Sequence, residues 1–444
     1  MEGTLKRTIV PIKPGAWARA VVLGVLALAA GCQTAPGPET RAPDPPPPEI
    51  EDTFAPPVPS FTDRPVRIAV LLPLSGANAR VGQQLLNAAG LALFDAYDPR
   101  LVLLPYDTRG TPGGAAAAAQ RAVADGAELM LGPLFAGSVR AAAEAVRGSG
   151  INLIGLSNDR AVASDGVFLM GFMPDQEATR VIAHATAQGY ARFAALLPDD
   201  AYGERVLDGF GRAIADTGAA VTAIEVYPRD RDALADPVKR LADYDARRRA
   251  YEQETAFLEG MDDDFSREIL KQLETQETLG EVSFDAVMLA EGSPLVRTLA
   301  PLLPFYEIDP EKVRFLGTGL WEERALTREP ALRGAWFAAP DPAQPTAFFE
   351  RYEELYGERP ARLATLGYDA MALAATLARN EIRLERFSAD ALTDPNGFLG
   401  LDGAFRFTTD GVAERQFAVL EIGPKGFSVI DPAPTTFQQW IGMR

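Results

Sequence analysis

The chain holds one cysteine and one histidine in 444 residues. A lone cysteine excludes an intramolecular disulfide framework, and the two together exclude a structural zinc site built from thiolate and imidazole ligands. A serine–histidine triad would have to use His184, which lies in Val181-Ile182-Ala183-His184-Ala185-Thr186. Small and apolar neighbours on a predicted helix make it a packed or surface helix residue rather than a base. Positive charge is also scarce: 43 Lys and Arg against 61 Asp and Glu give a net charge of −18. That balance opposes non-specific binding to phosphate backbones, so nucleic acid is not expected as a partner. There is no Walker loop and no G-x-G-x-x-G after a strand, so no nucleotide site or cofactor is expected, nor a metal. The carboxylate pairs Asp199-Asp200 and Glu322-Glu323 have no converging catalytic partner in the sequence, and no enzyme is expected. What is present, 47% hydrophobic and 23% charged residues, is ordinary globular composition with length for two or three domains.

Residues 1–31 read as a signal peptide. Lys6, Arg7, Lys13 and Arg19 precede an uncharged run from Ala20 to Gly31, too short to span a bilayer but suited to a secretory core. The run ends in Leu28-Ala29-Ala30-Gly31-Cys32, which resembles the lipobox of bacterial lipoproteins, with Ala29 standing where that family prefers Leu, Val or Ile. The resemblance implies lipidation of Cys32 and cleavage before it. Gln33, not Asp, follows, which implies a lipid-anchored protein on the periplasmic side of the outer membrane. Cleavage would remove four basic residues and one acidic one, leaving a net charge of −21. Residues 32–60 are rich in proline, including Pro45 to Pro48, and read as a polyproline II tether; at roughly 3.1 Å per residue it could span on the order of 90 Å.

From Val66 onward, short apolar runs alternate with amphipathic stretches, the pattern of an α/β protein with parallel sheets. Strands are expected at 66–72, 101–106, 129–131 and 151–155, with helices at 79–96, 114–125 and 138–147. A second series follows: helix 175–188, strand 193–197, helix 203–217, strand 221–227, strand 284–289, helix 294–303 and strand 313–316. The sequence thus predicts two doubly wound lobes. Residues 236–281 break the rhythm and read as a helical hairpin inserted in the second lobe. Leu241, Tyr244, Tyr251 and Leu258 would line one side and Phe265, Ile269 and Leu273 the other, with Asp263 or Asp264 as a helix cap. It is either a flap packed on its own lobe or a docking arm.

In open parallel sheets, ligands bind beyond the C-terminal ends of the strands, where helix N-termini present free N–H groups. Ser75 and Gly76, Ser157 and Asn158, and Tyr202 lie at such points. Each is also a residue type that turns and caps demand.

Taken in order, Ile68 to Gly76 with Gly82, Tyr106-Asp107-Thr108, Gly132-Pro133-Leu134, Ser157-Asn158, Asp199 to Gly203 and Gly367 to Ala370 resemble the type I periplasmic binding proteins of the leucine/isoleucine/valine-binding group, over roughly 67–430. The resemblance implies two Rossmann-like doubly wound lobes (periplasmic binding protein-like I) joined by three crossovers: 61–174 and 336–395 in lobe 1, and 175–335 and 396–444 in lobe 2. It implies that Ser75 binds a ligand carboxylate, that Ser157 and Asn158 line the next loop, and that Tyr202 is the second lobe's aromatic contact. Two positions depart. Ala290-Glu291-Gly292 replaces an aromatic residue, and Gly317 to Leu320 replaces the glutamate that pairs with a ligand ammonium, with Glu322 close by. Anchor, tether and altered pocket together resemble the outer-membrane lipoproteins that activate penicillin-binding proteins. The leading expectation is therefore a non-enzymatic regulator docking on a peptidoglycan synthase. The alternative is the substrate-binding lipoprotein of an ABC importer, with an ABC permease and an amino acid or related small molecule as partners.

Overall fold

The computed structural model describes residues 64–261 and 263–437; the expected signal peptide, Cys32 and the tether lie outside the described residues. The chain first lays down β1 (Val66–Leu72), α1 (Ala79–Ala96), β2 (Leu101–Asp107), α2 (Pro112–Ala124), β3 (Leu129–Leu131), α3 (Ala136–Ala145), β4 (Asn152–Gly155) and β5 (Val167–Leu169). These strands form one parallel sheet in the order β2-β1-β3-β4-β5. It then crosses to α4 (Pro174–Ala187), β6 (Arg192–Pro198), α5 (Ala201–Thr217), β7 (Ala220–Tyr227), α6 (Ala235–Leu241), α7 (Tyr244–Glu259), α8 (Asp264–Leu273), β8 (Ala286–Leu289), α9 (Val296–Phe305), β9 (Arg314–Gly317) and β10 (Trp336–Ala339). It returns to the first lobe with α10 (Thr346–Tyr356), α11 (Ala364–Leu377), α12 (Arg383–Arg386), α13 (Ala389–Leu392), β11 (Phe398–Gly400), β12 (Gly403–Phe407) and β13 (Ala413–Arg415), and ends in β14 (Ala418–Gly423) and β15 (Gly426–Asp431).

The second sheet runs β15-β14-β10-β9-β8-β6-β7, so its parallel part repeats the strand order of the first. Each sheet is covered on both faces, which is why its strands are near-continuous apolar runs. Helices α1 and α11 cover one face of the first sheet and α2 and α3 the other; α4 and α5 cover one face of the second, α6 and α9 the other. The repeat extends to the turn after the first strand of each lobe. A Cβ on Gly82 would lie 2.0 Å from the Pro73 carbonyl oxygen, and one on Gly203 2.0 Å from that of Pro198. Both helices start against their own strand's exit, and only glycine permits that approach.

Three boundaries differ from those read in the sequence. Trp336–Ala339 is a strand of the second sheet, between β9 and β14, so the return to lobe 1 follows it. Residues 398–415 form a three-stranded antiparallel sheet whose Phe405, Phe407 and Ala413 pack into the lobe 1 core; the chain re-enters lobe 2 only at β14. The inserted hairpin is α7 and α8 alone, because α6 buries Val238 and Leu241 in the lobe 2 core as an ordinary sheet-covering helix. Within the hairpin, Leu258 and Leu273 are buried and the Tyr251 hydroxyl donates to the Leu273 carbonyl at 3.3 Å. Asp263 caps α8 by accepting the Ser266 N–H at 2.8 Å. Phe265, expected on the inner side, is exposed, as are Phe257 and Met261 around the turn.

Candidate functional site between the lobes

The loops after the strands of both sheets face each other across a cavity of about 440 Å³. Its walls are mostly apolar: Leu134, Phe135 and Leu156 from lobe 1, Phe172 from the first crossover, Leu320 from lobe 2, and Leu363 and Leu366 at the start of α11. Asn158, Tyr202, Glu177, Glu322 and Arg362 supply the polar groups.

Glu177 is the group with the most perturbed chemistry. Pro174 at the first position of α4, followed by Asp175 and Glu177, makes an acidic first turn suited to a helix N-terminus. Asp175 turns away to Arg160, at 2.8 Å, and Arg212. Glu177 points inward, is 5% exposed, and accepts the Gly319 N–H at 3.0 Å. Gly319 is needed here, since a Cβ would sit 2.7 Å from the Glu177 carboxylate. Burial, opposed by the Gly319 N–H but reinforced by Glu322 and Asp175, pushes the Glu177 carboxyl up to about 8.

Tyr202 is placed by its helix cap: Asp200 accepts the N–H groups of Tyr202 and Gly203 at 2.9 and 3.0 Å. The Tyr202 hydroxyl pairs with Thr318 Oγ1 at 2.7 Å, and burial beside Glu177 raises its pKa. Glu322 follows the short helical turn 319–321 and accepts from Arg362 Nε at 2.9 Å, an ion pair between lobes. Burial raises the Glu322 pKa while Arg362 opposes the rise. Arg362 also contacts Asp402 at 2.6 Å and lies over the Phe172 ring at 5.5 Å. Behind it, Arg415 lies over Phe172 and Phe405 at 5.2 and 4.9 Å and faces Asp369 at 3.9 Å. A buried chain of alternating charge thus runs from the cleft into the crossover region. Its members are costly to bury singly and are retained in pairs.

Of the residues singled out in the sequence, Asn158, Tyr202 and Glu322 line this one cavity. Ser75 and Gly76 do not: Ser75 is exposed, its Oγ donating to Asp107 Oδ2 at 2.6 Å. Ser157 is buried, and its Oγ accepts the Asp159 N–H at 3.1 Å as a turn residue. At the position of the missing aromatic, Glu291 accepts the Tyr227 hydroxyl at 3.1 Å, and its carbonyl accepts the Trp321 indole N–H at 2.9 Å. His184 is packed, its Nδ1 2.9 Å from Asp431 Oδ2 and its ring edge-on to Trp336. Among the described residues no group of His, Cys, Asp and Glu could hold a metal ion. Sequence reasoning missed Glu177 and Arg362. The proline and two acids opening a helix at the lobe crossing were a visible signal for the first; nothing local marked the second.

A family model described as periplasmic binding protein matches residues 65–426. The chain belongs to the periplasmic binding protein family. Among solved structures, a putative branched-chain amino acid ABC transporter protein from Rhodospirillum rubrum superposes with a TM-score of 0.66 at 20% identity, covering 82% of this chain and all of that one. An ABC transporter substrate-binding protein from Desulfitobacterium hafniense in complex with Leu gives 0.57 at 17% identity, over 83% of this chain and 100% of the other. An uncharacterised protein of Rickettsia prowazekii is 25% identical over 177 residues, 40% of this chain and 47% of that one; the chain thus spans about half the length of this curated relative. The two-lobe fold is that of type I periplasmic binding proteins.

Proposed function

We propose that this chain is a non-enzymatic solute receptor, lipid-anchored at Cys32 outside the cytoplasm, which holds a small molecule between its lobes for an ABC permease. The observation that carries this reading is the interlobe cavity of about 440 Å³ with the buried carboxyl of Glu177 at its wall, bonded to the Gly319 N–H and without an ion-pair partner among the described residues. An apolar lining with a few convergent polar groups is the usual form of a ligand site. Glu177 asks for a donor or cation, while Arg362 is taken by Glu322 and Asp402. The favoured ligand therefore has an apolar body and an amine or other N–H donor. The Leu complex and the branched-chain amino acid assignment of the two structural neighbours support a ligand of this size.

A regulator docking on a penicillin-binding protein at the outer membrane is the second reading. One observation favours it: Arg362 already bridges the lobes, and the α7–α8 hairpin carries Phe257, Met261 and Phe265 to solvent. Thermal melts with branched-chain amino acids, their amides and the corresponding amines separate the two. A ligand at 100 times its Kd stabilises by about 2.7 kcal/mol, and Glu177→Gln should abolish that gain. If no compound of the series moves the melt, the receptor reading fails, and crosslinking in cells should then enrich a peptidoglycan synthase rather than a permease.

A further inference from the structure

At the opposite end of lobe 1 from the cleft, the start of β1, the turn before β3 and α12 enclose a pocket of about 590 Å³. Arg64, Arg67, Arg100, Arg383 and Arg386 stand in its wall, with Glu128 and Glu381 as the carboxylates. This is a local reversal of sign in a chain of net charge −18. Arg100 is committed elsewhere: its Nε and Nη2 donate to the Asp98 carboxylate at 3.0 and 2.7 Å, and it makes a further contact. The other four guanidinium groups exceed Glu128 and Glu381 by two positive charges. Arg386 is buried, and its Nε and Nη2 donate to the carbonyls of Asn380 and Glu381 at 3.2 and 3.4 Å. Its Nη1 and the Nε of Arg383 stand 3.6 and 3.5 Å from one oxygen of Glu128, which is buried and accepts no hydrogen bond from either. That carboxylate draws the two guanidinium groups together and leaves those N–H groups free to donate. Arg64 and Arg67 have no hydrogen-bond or ion-pair partner among the described residues.

Free donors, a rigid wall and uncompensated charge in one concave place are the makings of an anion site. A planar carboxylate meets one guanidinium fork edge-on. A tetrahedral phosphoryl group offers oxygens in several directions and can take forks from two elements at once, here the start of β1 and α12. The excess of two charges also matches a phosphate monoester, which carries about −1.5 to −2 at neutral pH. We infer that this pocket is a second binding site, separate from the cleft, for the phosphoryl group of a phosphate monoester, with Arg64, Arg67, Arg383 and Arg386 as its donors. The volume leaves room for part of the molecule that carries the group. The carrier is a soluble metabolite or a lipid with a monoester headgroup, since both present the same oxygens. The chain's overall negative charge repels extended polyanions, so the site selects a single phosphoryl group and not a nucleic-acid backbone.

The test is a calorimetric titration of the full chain, at constant ionic strength, with glycerol 3-phosphate, with acetate and with dihexanoylphosphatidic acid kept below its micelle concentration. One phosphate monoester should bind per chain, and acetate should bind about tenfold or more weakly. Tighter binding of the lipid than of glycerol 3-phosphate identifies the lipid source; equal or weaker binding identifies the soluble one. Replacing Arg64 and Arg67 together by Gln should weaken the interaction about tenfold or more. Arg383→Gln, at a side chain 63% exposed, should act in the same direction from the other wall. Arg140→Gln, at an exposed arginine elsewhere on lobe 1, should leave it unchanged. Unaltered thermal melts of the variants without ligand keep loss of binding distinct from loss of fold. Absence of binding by both phosphate compounds overturns the inference, as does acetate binding as tightly as they do, or binding that survives the substitutions on both walls. Self-association that the same substitutions abolish, without phosphate binding, would assign the pocket to a second copy of the chain and equally overturn it.

Discussion

The carboxyl of Glu177 gives the cleft a pH signature that can be measured on the folding equilibrium. In the unfolded chain it titrates near 4.5; in the folded protein burial holds the proton on to about 8. Below pH 4.5 the carboxyl is protonated in both states, and the native state bears no penalty. Between the two values the unfolded chain ionises while the folded one keeps its proton. Stability is therefore lost as pH rises, at about 1.4 kcal/mol per unit. The loss reaches about 3 kcal/mol at pH 7 and levels off near 5 kcal/mol above pH 8, as an order of magnitude. Glu177→Gln removes the titration and keeps an oxygen to accept the Gly319 N–H. Urea denaturation of both proteins at pH 5, 7 and 9 should give a difference that grows with pH in favour of the variant. Comparison cancels the titrating groups that do not interact with Glu177; Glu322 and Asp175, which do, belong to the measured difference. If the two stability curves run parallel from pH 5 to 9, Glu177 is not the buried, protonated group described here, and its role as the cleft's receptor for a cation falls with it.

Arg362→Met leaves Glu322 and the fully buried Asp402 facing each other without their cation. Urea melts should show a loss of about 3–5 kcal/mol, largely recovered when Glu322→Gln and Asp402→Asn are added. Gly203→Ala places a methyl 2.0 Å from the Pro198 carbonyl oxygen. A loss of about 1–3 kcal/mol is expected in the same assay, and an unchanged midpoint would mean that the start of α5 is not held against β6.

Periodicity carried the rhythm of elements because each sheet is buried on both faces, so apolar runs such as Ile68 to Leu72 and Phe193 to Leu197 stand out. It carried no information about which sheet a strand joins. Trp336–Ala339 is a four-residue apolar run that reads alike in either lobe, and only its pairing with β9 and β14 places it. β5 is three residues long and gave no periodic signal. The charged composition of 236–281 concealed that Val238 and Leu241 belong to the lobe core. For the cleft, the rule that ligands sit beyond strand ends found Asn158 and Tyr202, but the same rule selected Ser75, which turns to Asp107 instead. Glu177 enters the cleft from a helix start at a lobe crossing, and Arg362 from the turn before α11 of the other lobe. Their meeting depends on how two domains close, which no local pattern encodes.

That closure is held by charges of unequal depth. Arg205 and Asp159 meet across the lobes at 3.5 Å and Arg160 and Asp175 at 2.8 Å, in both cases with a partly exposed partner. Glu322 and Arg362, at 2.9 Å and largely enclosed by apolar side chains, form the third link. Salt screens the first two and scarcely reaches the third. Opening the lobes would have to hydrate Glu322 and Arg362 separately, a step that regains solvation for both ions while it breaks their contact. The two effects oppose each other, so the pair weakly resists opening although its geometry is good. Glu177 has no such partner, and burial keeps it protonated below about pH 8. A cationic ligand would restore its charge and complete the alternation of signs from the cleft to Asp369, while an apolar ligand would leave it protonated. On the proposed function, the cleft would distinguish its occupants by what happens to one proton.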